Sequence, residues 1–540
     1  MKLAEAFRRY PHLFVSLLVA AVALGVYIHG LPPSITWQND GADGAELAAA
    51  VKNLGVPHPP GYPTYVLVGK AFSFLPAGDL AHRLAIMSAV FATAAVVLTY
   101  FTMVHLFALL GGQKPLPTTP PSYVSAGVAS LGLAFATVLW SQAIMPEVYG
   151  LNAFFVAALL FLLVQWMQTS GGQPKGAKRS NWQAIVAAYL LGFGLGNHLT
   201  VVFVGLPVLA VFVAGLWRRA GTVALMFGGL LTGLAVYAYL PLRAASSPPI
   251  NWGDAHTWSG FRWMITGGPY QDYVFSVPEK FLPGRIGAWA NLFLRQFNGL
   301  GLAVGIVGMW SLWQRRLLLT LALLLPVVAL SVYAIGYNTG DSFVSLVPAV
   351  ACFAVFLGAG LYYFLSELML PRFIGQGLSV QRIGLLMALV ALALVVLVPG
   401  FGFFRGKGDM DLSHDTAAID FAKRTFGQTE DGAIVLADSD KSVFALWYMS
   451  FVVQPESARV VVARNLLQFK WYRDELRQRY PGVMPEADSQ VFSKALQALV
   501  QNNAGKRPVY TTYQDSVLQQ GYYWQERDGL YKLLGAMPTR

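Results

Sequence analysis

Three carboxylates recur at every third position after the first apolar stretch of the chain: Asp40, Asp43 and Glu46. Residues three apart share a face of a helix, and the run AELAAAVKNL that begins at residue 45 favours one. Carboxylates grouped beside a membrane are costly unless they are paired or used. An ionised member can act as a general base, while a neighbour stays neutral or binds a metal or an incoming hydroxyl. The spacing alone favours a solvated acidic loop that caps a helix slightly over the alternative, a catalytic centre.

A proline-rich segment follows, with four prolines between Val56 and Pro63. Such a segment is stiff and extended and cannot be helical inside. It would hold His58 and Tyr62 in fixed places, and we predict that both bind substrate. The alternative is a rigid connector. The apolar stretch after it is too short to span comfortably, and we expect it to lie at the membrane interface.

Polar and aromatic residues in later turns form a third group of predicted substrate ligands. Arginine binds phosphate through a bidentate fork, and a histidine can hydrogen-bond to it. The alternatives are a plain turn residue for the histidine, an interfacial anchor for the arginine and the aromatic belt for the tryptophan. The group consists of Glu147, His198, Arg243, Asn251, Trp252 and Asp254.

Composition places these residues on a membrane protein. Charged residues make up 12% of the chain and hydrophobic residues 55%, whereas a soluble domain carries roughly 25% charged residues. The net charge of +11 comes from short basic clusters between apolar runs, which is typical of membrane orientation and argues against a nucleic-acid partner. No phosphate-binding glycine loop, dinucleotide fingerprint, zinc spacing or serine elbow occurs, which argues against an ATP-driven pump and a serine hydrolase. No cofactor is predicted, and a divalent metal on the carboxylates stays an alternative.

About eleven apolar stretches are long enough to cross a bilayer as helices. Basic residues in short loops favour the cytoplasmic side, and their distribution places the N-terminus there. Outer loops are then predicted at 31–81 and 243–293, with further turns near Glu147 and Asp341. The stretches are centred near residues 21, 97, 133, 158, 189, 207, 230, 304, 326, 354 and 393.

The chain divides into a membrane domain, 1–404, and a tail, 405–540. GAIVLAD, ARVVVAR and RPVYTTY predict strands in the tail, and helices are expected at 442–452 and 471–480. Strands that alternate with helices predict a small α/β domain outside the cytoplasm. The fold class is therefore a polytopic α-helical membrane protein with a C-terminal extracytoplasmic α/β domain.

The stretch DGAELAAAVKNLGVPHPPGYPTYVLVGKAFSFLP resembles the opening signature of a large bacterial family of multi-span proteins related to transmembrane protein 260, an animal protein O-mannosyltransferase. The segments WSQAIMPEVYGLNAFF, LGFGLGNHLTVV, YLPLRAASSPPINWGD and ADSDKSVFALWY match in order. The resemblance implies a GT-C-like glycosyltransferase with a carboxylate base in its first outer loop. The family motif Asp-x-x-Glu falls on Asp43 and Glu46; Asp40 is an additional carboxylate, and which of the three is the base stays open. The tail motif at Asp438–Ser442 departs from the family's more polar Asn-Asp-Thr core, which argues against a direct role of the tail.

This resemblance predicts transfer of a sugar, mannose by analogy, from a polyprenyl phosphate to a protein Ser or Thr hydroxyl outside the cytoplasm. The phosphate of the donor would lie near Arg243 and His198, and the tail would guide the acceptor. The predicted partners are the lipid-linked donor, a protein or peptide acceptor and the bilayer, and the predicted location is a bacterial inner membrane. A transporter or flippase of lipid-linked sugars, with the carboxylates as ion-coupling sites, is the alternative. A structural assembly protein whose tail binds partners is a third possibility.

Overall fold

The computed structural model describes residues 9–113, 115–170, 181–486, 491–519 and 521–537. Six basic residues that contribute to the predicted orientation lie outside the described residues: Lys2, Arg8, Lys114, Lys175, Lys178 and Arg179.

Helices make up nearly all of the N-terminal three quarters of the chain, as expected where backbone polar groups must be satisfied within lipid. They are α1 (Pro11–His29), α2 (Asp43–Asn53), α3 (Pro63–Phe72), α4 (Leu80–Leu110), α5 (Pro120–Ala134), α6 (Thr137–Ala143), α7 (Val148–Ser170), α8 (Trp182–Leu195), α9 (Val202–Leu216), α10 (Ala220–Leu234), α11 (Tyr239–Ala244), α12 (Trp258–Ile265), α13 (Leu282–Arg315), α14 (Leu317–Gly336), α15 (Val347–Tyr362), α16 (Leu370–Gly375), α17 (Val380–Val395) and α18 (Phe401–Gly406).

The prediction of a polytopic helical fold is confirmed. Within the described ranges, nine helical stretches are long and apolar enough to cross a membrane, and α5 with α6, bent by 64°, makes a tenth. Every predicted centre falls within a helix. The eleventh is α8, which has only 14 residues. Its C-terminal end lies beside the start of α7, because the Asn197 side chain donates to the Val148 carbonyl over 3.0 Å.

The membrane helices differ in how deeply they lie in the bundle. In the stretch from Ser342 to Gly375, which contains α15, 89% of the most apolar window is buried within the protein, compared with 17% in the stretch from Ala220 to Ala244. The stretch from Ser342 to Gly375 is therefore central in the bundle, and the stretch from Ala220 to Ala244 lies at its periphery. Cys352 is fully buried in this centre, as expected for a small apolar residue.

The segment 243–293, predicted as the second outer loop, is helical from residue 282 onward. Residues 282–293 were expected in the loop, but α13 begins at Leu282 and continues to Arg315 across a break at Asn298, whose φ is +52°. Asn298 accepts from Gly301 N over 3.0 Å and so begins the second half of the helix. The apolar pattern predicted only the second half of α13 as a helix. The first half was assigned to the loop on hydropathy alone.

The tail forms the predicted α/β domain. It contains α19 (Ala417–Gln428), β1 (Ile434–Ala437), α20 (Asp440–Tyr448), β2 (Val460–Ala463), α21 (Lys470–Arg479), α22 (Phe492–Asn503), β3 (Val509–Thr511), α23 (Ser516–Gln519), β4 (Tyr522–Arg527) and β5 (Leu530–Ala536). The strand order is β2-β1-β3-β5-β4. The first three strands are parallel and fully buried apolar runs, as sheets covered on both faces require. The antiparallel hairpin β4–β5 was not predicted.

The domain packs against one end of the membrane helices, called here the domain face. Trp37 Nε1 donates to the Lys441 carbonyl over 3.0 Å, and Tyr448 donates to Asp79 over 2.9 Å. Leu412 N donates to the Gly30 carbonyl at the end of α1 over 3.1 Å. The first outer loop is therefore enclosed between the bundle and α20.

Candidate active site

The acidic segment forms the beginning of α2, which lies against the turn before α7. A Cβ on Gly44 would lie 2.7 Å from Pro146 Cγ and 2.8 Å from its carbonyl oxygen. Only glycine permits so close an approach. Asp43 and Glu46 fall in the first turn of α2, where carboxylates interact favourably with the helix dipole. The close contact at Gly44 brings them next to Glu147.

Glu46 and His58 form a buried ion pair. His58 Nδ1 contacts Glu46 Oε2 at short range. The His58 backbone N–H donates to Glu46 Oε1 over 3.2 Å, so one carboxylate holds both the ring and the main chain. Glu46 is fully buried, and the proline-rich segment leaves His58 only 6% exposed. The sequence motifs at 43–46 and 56–63 are thus two halves of one site.

The other ring nitrogen of His58 faces the mouth of the site. Its Nε2 lies 3.1 Å from the Tyr62 hydroxyl and 3.5 Å from Asp43 Oδ2. The Asp43 side chain keeps 41% of its surface exposed, whereas that of Glu46 is enclosed. Of the two carboxylates Asp43 and Glu46, Asp43 is therefore the one that an incoming molecule can reach.

Aromatic rings from three separate segments enclose His58. Trp252 of the second outer loop, Tyr270 further along it, and Phe444 of α20 have ring centroids 6.1–6.4 Å from that of His58. The chain places Trp252 there through backbone pairing, since Trp252 N donates to the Val56 carbonyl and Val56 N to the Ile250 carbonyl. Rings of this kind exclude water and strengthen electrostatic interactions inside the site.

Carboxyl groups from four regions of the chain act on one another around His58. We call Asp40, Asp43, Glu46, Glu147, Asp341 and Asp440 the acidic cluster. Burial raises the pKa of Glu147 well above its usual value, and the charge of Asp43 raises it further. Partial burial likewise raises the pKa of Asp43; the positive charge of His58 opposes this, and Glu46, Asp341 and Asp40 add to it.

The two histidines of the site carry different charges. Burial lowers the pKa of His58, but the Glu46 and Asp43 carboxylates outweigh it and bring the pKa to about 10. Burial lowers the pKa of His198 to about 4, and the charge of His58 acts in the same direction. At neutral pH, His58 is therefore a cation and His198 is neutral. The ring of His198 stacks on Tyr62 with centroids 6.4 Å apart, and its Nδ1 lies 2.7 Å from the Thr200 hydroxyl.

Arg243 lies elsewhere than expected for a phosphate ligand. Its Nε donates to the Leu54 carbonyl over 2.7 Å, and Nη2 to the Asn53 carbonyl over 3.1 Å. These are free carbonyls at the C-terminal end of α2, where a cation is favourable. Since α2 has 11 residues, this end is about 15 Å from Asp43 at 1.5 Å per residue. The structure thus gives Arg243 a helix-capping position, and its contact with phosphate stays a prediction.

Replacement of Arg243 by Ala should therefore act on stability. We expect a loss of about 2 kcal/mol, because a charged group donates both hydrogen bonds. The KM for donor should stay unchanged in the folded fraction. Thermal unfolding and donor titration measure the two effects, with Arg262→Ala, an exposed arginine of the same loop, as the control. A raised KM without loss of stability would instead indicate that Arg243 contacts the phosphate of the donor.

Two other predicted ligands make contacts away from His58. Asn251 pairs with Val56 in an isolated bridge. Asp254 is 42% exposed and contacts His256, 2.6 Å away. Asp40 is also exposed, in a turn before α2 with φ of +62°. The contacts of Asn251 and Asp254 do not involve His58, and Asp40 acts on Asp43 only through its charge.

Several residues of the site were missed as ligands. Tyr270 and Phe444 give no motif, and Asp341 was noted only as a turn residue. Asp440 and Phe444 belong to the tail segment whose departure from the family motif put a direct role in doubt, yet α20 packs on α2. Partial burial and the charge of Asp43 raise the pKa of Asp440. For Asp440 and Phe444, only the placement of the tail over the first outer loop could have indicated a role in the site. Among the described residues, no group of three or more His, Cys, Asp or Glu side chains is arranged to hold a metal ion.

Comparison with known proteins finds similarity in sequence and in fold. Residues 43–220 match the family described as the protein O-mannosyl-transferase TMEM260 N-terminal domain. The mouse protein O-mannosyl-transferase TMEM260 is 24% identical over 87% of the chain. The chain spans 65% of that relative's length.

Two solved structures share the fold. ArnT from Cupriavidus metallidurans, bound to undecaprenyl phosphate, superposes with a TM-score of 0.59 at 14% identity, over 96% of this chain and 97% of that one. The oligosaccharyltransferase AglB from Archaeoglobus fulgidus, in complex with an inhibitory peptide and a dolichol-phosphate, gives 0.51 at 12% identity, over 98% and 74%. Both structures have a GT-C fold.

Proposed function

We propose that the chain is a glycosyltransferase related to the TMEM260 family, whose N-terminal domain model matches residues 43–220. It transfers a sugar from a polyprenyl-phosphate donor to an acceptor hydroxyl at the domain face. The observation that carries the proposal is the position of Asp43, the one exposed carboxylate in direct reach of the buried His58–Glu46 pair within the described structure. The geometry supports Asp43 as the general base among the three carboxylates of the first loop.

Asp43 takes the proton of the acceptor hydroxyl as the hydroxyl oxygen attacks the anomeric carbon. The new carbon–oxygen bond forms while the bond to phosphate breaks, and the phosphate leaves with the electron pair. Attack opposite the leaving group inverts the anomeric configuration. General-base assistance of this kind contributes typically 10²–10⁴-fold. Burial raises the pKa of Glu147 and so favours its neutral form, which reduces the mutual repulsion of the acidic cluster.

The neighbouring residues orient this base and receive the leaving group. Glu46 fixes His58, and the His58 cation favours the ionised form of Asp43. Tyr62 lies at the opposite edge of the His58 ring from Glu46, with His198 stacked on it. We assign the phosphate to this side. There the neutral His198 can donate a hydrogen bond, which stabilises charge that develops on the phosphate.

The relatives support a finer assignment of the substrates. The mouse relative is a protein O-mannosyl-transferase, and the structural neighbours were captured with undecaprenyl phosphate or with a peptide and dolichol-phosphate. We therefore propose mannose as the sugar and a protein Ser or Thr as the acceptor. The experiment is transfer of labelled mannose from polyprenyl-phosphate mannose to peptides by the purified chain in lipid vesicles. Transfer from a nucleotide-linked mannose alone, or none from the lipid donor, would contradict the proposal.

The pH dependence of transfer should report Asp43. Its base form exists above its raised pKa, so kcat/KM should rise with pH through a value above that of an ordinary aspartate. His58 lowers that pKa. Replacement of His58 by Gln should therefore move the acid limb to higher pH, in addition to slowing transfer. A profile of the variant that shifts to lower pH would exclude Asp43 as the titrating group.

We also propose that the domain face is extracytoplasmic, in a plasma membrane. Helix α17 and its continuation to Gly406 connect residue 377 to residue 408 across the bundle. An alkaline phosphatase fused after residue 408 should be active, and one fused after residue 377 inactive. The opposite pair of signals would place the site in the cytoplasm.

A further inference from the structure

One arginine holds the chain where α14 ends and the path to α15 begins. Arg285, near the start of α13, donates four hydrogen bonds of 2.6–3.2 Å to main-chain carbonyls there. The acceptors are Ala334, Ile335, Tyr337 and Thr339. Because a guanidinium is a rigid fork of donors, these bonds fix the shape of the segment. We call residues 337–341 the α14–α15 turn.

The α14–α15 turn is joined to the wall of the candidate active site. Asn338 N donates to the Tyr273 carbonyl over 2.9 Å, and the rings of Tyr273 and Tyr337 have centroids 6.2 Å apart. Three residues before Tyr273 lies Tyr270, whose ring is 6.4 Å from that of His58. The turn therefore lies at the domain face, beside the mouth of the site.

Asp341 is the carboxylate of this turn, and the proposed chemistry gives it no part. Its side chain is exposed, makes no hydrogen bond or ion pair within the described ranges, and does not cap the helical turn that follows. Its charge nevertheless acts on Asp43 and Glu147. A carboxylate that adds repulsion to a site and has no structural partner there is a candidate for a contact with substrate.

Four half-buried tyrosines border the space between this turn and the phosphate side of the site. The ring of Tyr149 lies 4.8 Å from that of His198, and Tyr333 stacks on Tyr337 at 5.1 Å. The hydroxyls of Tyr149 and Tyr270 make no hydrogen bond to any part of the chain that the structure describes. Such rings offer an apolar face to the C–H groups of a sugar and a polar group to its hydroxyls. The four are Tyr149, Tyr270, Tyr333 and Tyr337.

We propose that Asp341 determines which sugar the donor carries, by accepting hydrogen bonds from hydroxyls of that sugar beside the wall of tyrosines. The inference rests on the proposed function, because a phosphate at His198 and an anomeric carbon at Asp43 place the sugar in this space. An ionised carboxylate is a strong acceptor for hydroxyl groups. The substrate class is therefore an uncharged, hydroxylated sugar. A uronic acid would be repelled by the charges of Asp341 and Asp43.

The test measures binding of lipid-linked sugars to the full chain in detergent, without acceptor. Polyprenyl phosphates that carry mannose, glucose or galactose are compared with bare polyprenyl phosphate, and the sugar that adds most affinity is then replaced by its monodeoxy analogues. At least one analogue should bind about tenfold more weakly or worse, the effect of a lost hydrogen bond to a charged group. In Asp341→Ala this difference should shrink to less than about twofold. Asp341→Asn keeps a neutral acceptor and should lie between the two.

Asp272→Ala is the matched control, since Asp272 is an exposed aspartate of the loop that pairs with the turn. It should keep the full difference between the sugar and its deoxy analogue. A second measurement uses charge: a lipid-linked glucuronate should bind more weakly than the corresponding glucose lipid. Asp341→Ala should reduce that difference about threefold or more, because one repelling charge is gone. A residue that only supported the fold would change neither ratio.

The outcomes separate this inference from the proposed function. If no sugar adds affinity to polyprenyl phosphate, or if Asp341→Ala discriminates the deoxy analogues as well as the unsubstituted chain does, Asp341 does not recognise the sugar. Transfer of mannose together with that second result would contradict this inference alone. Discrimination through Asp341 by a chain that transfers no sugar would support it and contradict the proposed function alone.

Discussion

Replacement of Asp43 by Asn should lower kcat of mannosyl transfer by about 10²–10⁴-fold, the usual contribution of a general base. The amide has nearly the same shape but cannot take the proton of the acceptor hydroxyl. Binding of donor should change little, because the substitution leaves Glu46, His58 and the phosphate side in place. Single-turnover transfer of labelled mannose from the lipid donor separates the chemical step from binding.

Asp40→Asn is the matched control. Both aspartates belong to the first outer loop, but Asp40 is exposed and acts on Asp43 only through its charge. Its φ of +62° is one that asparagine also adopts readily, so the turn should stay intact. Removal of its charge lowers the pKa of Asp43 slightly, and we expect less than about a threefold change in rate. A large loss in Asp40→Asn with little in Asp43→Asn would transfer the base role to Asp40.

The sequence predicted those parts of the molecule that depend on local pattern. Each apolar stretch became a helix, and the short buried strands of the tail were found because apolar runs between turn residues have few other interpretations. The strands β4 and β5 were missed because half of their side chains face solvent, as in YYWQER, where only Tyr522 is buried. The break at Asn298 was missed because two hydrogen bonds of one side chain hold it: Asn298 accepts from Gly301 N and donates to the Leu397 carbonyl.

The candidate site was predicted residue by residue but not as a set of contacts. The motifs indicated Glu46 and His58 separately, as a candidate catalytic base and a substrate ligand, and only the fold makes them an ion pair. Arg243 has the right residue type for phosphate, yet its partners are carbonyls 189 and 190 positions away in the chain. Phe444 and Asp440 reach the site because the tail packs against the first loop. No spacing of residues within the tail or within that loop encodes this contact. Long-range contacts of this kind depend on tertiary structure, which local sequence patterns do not specify.

The buried pair predicts a second large effect, that of Glu46→Gln. Glutamine can still accept from the His58 backbone N–H, but it leaves the ring cation with Asp43 as its nearest carboxylate. Removal of one partner of a buried ion pair typically costs 3–5 kcal/mol, and we expect a loss of about 3 kcal/mol here. Transfer by the folded fraction should fall roughly 100-fold, because displacement of His58 and Asp43 by about 1 Å is enough for that.

The Arg315–Glu367 pair supplies the control, since it has short bidentate contacts but side chains 33–37% exposed. Glu367→Gln should cost less than about 1 kcal/mol, as exposed pairs do. The double variant Glu46→Gln with His58→Gln should lose less stability than the sum of the single changes, because it no longer buries an unpaired charge. Additive losses would mean that Glu46 stabilises the site by packing alone. Glu46 would then have no part in holding His58 as a cation, and the acid limb of the pH profile would not move in Glu46→Gln.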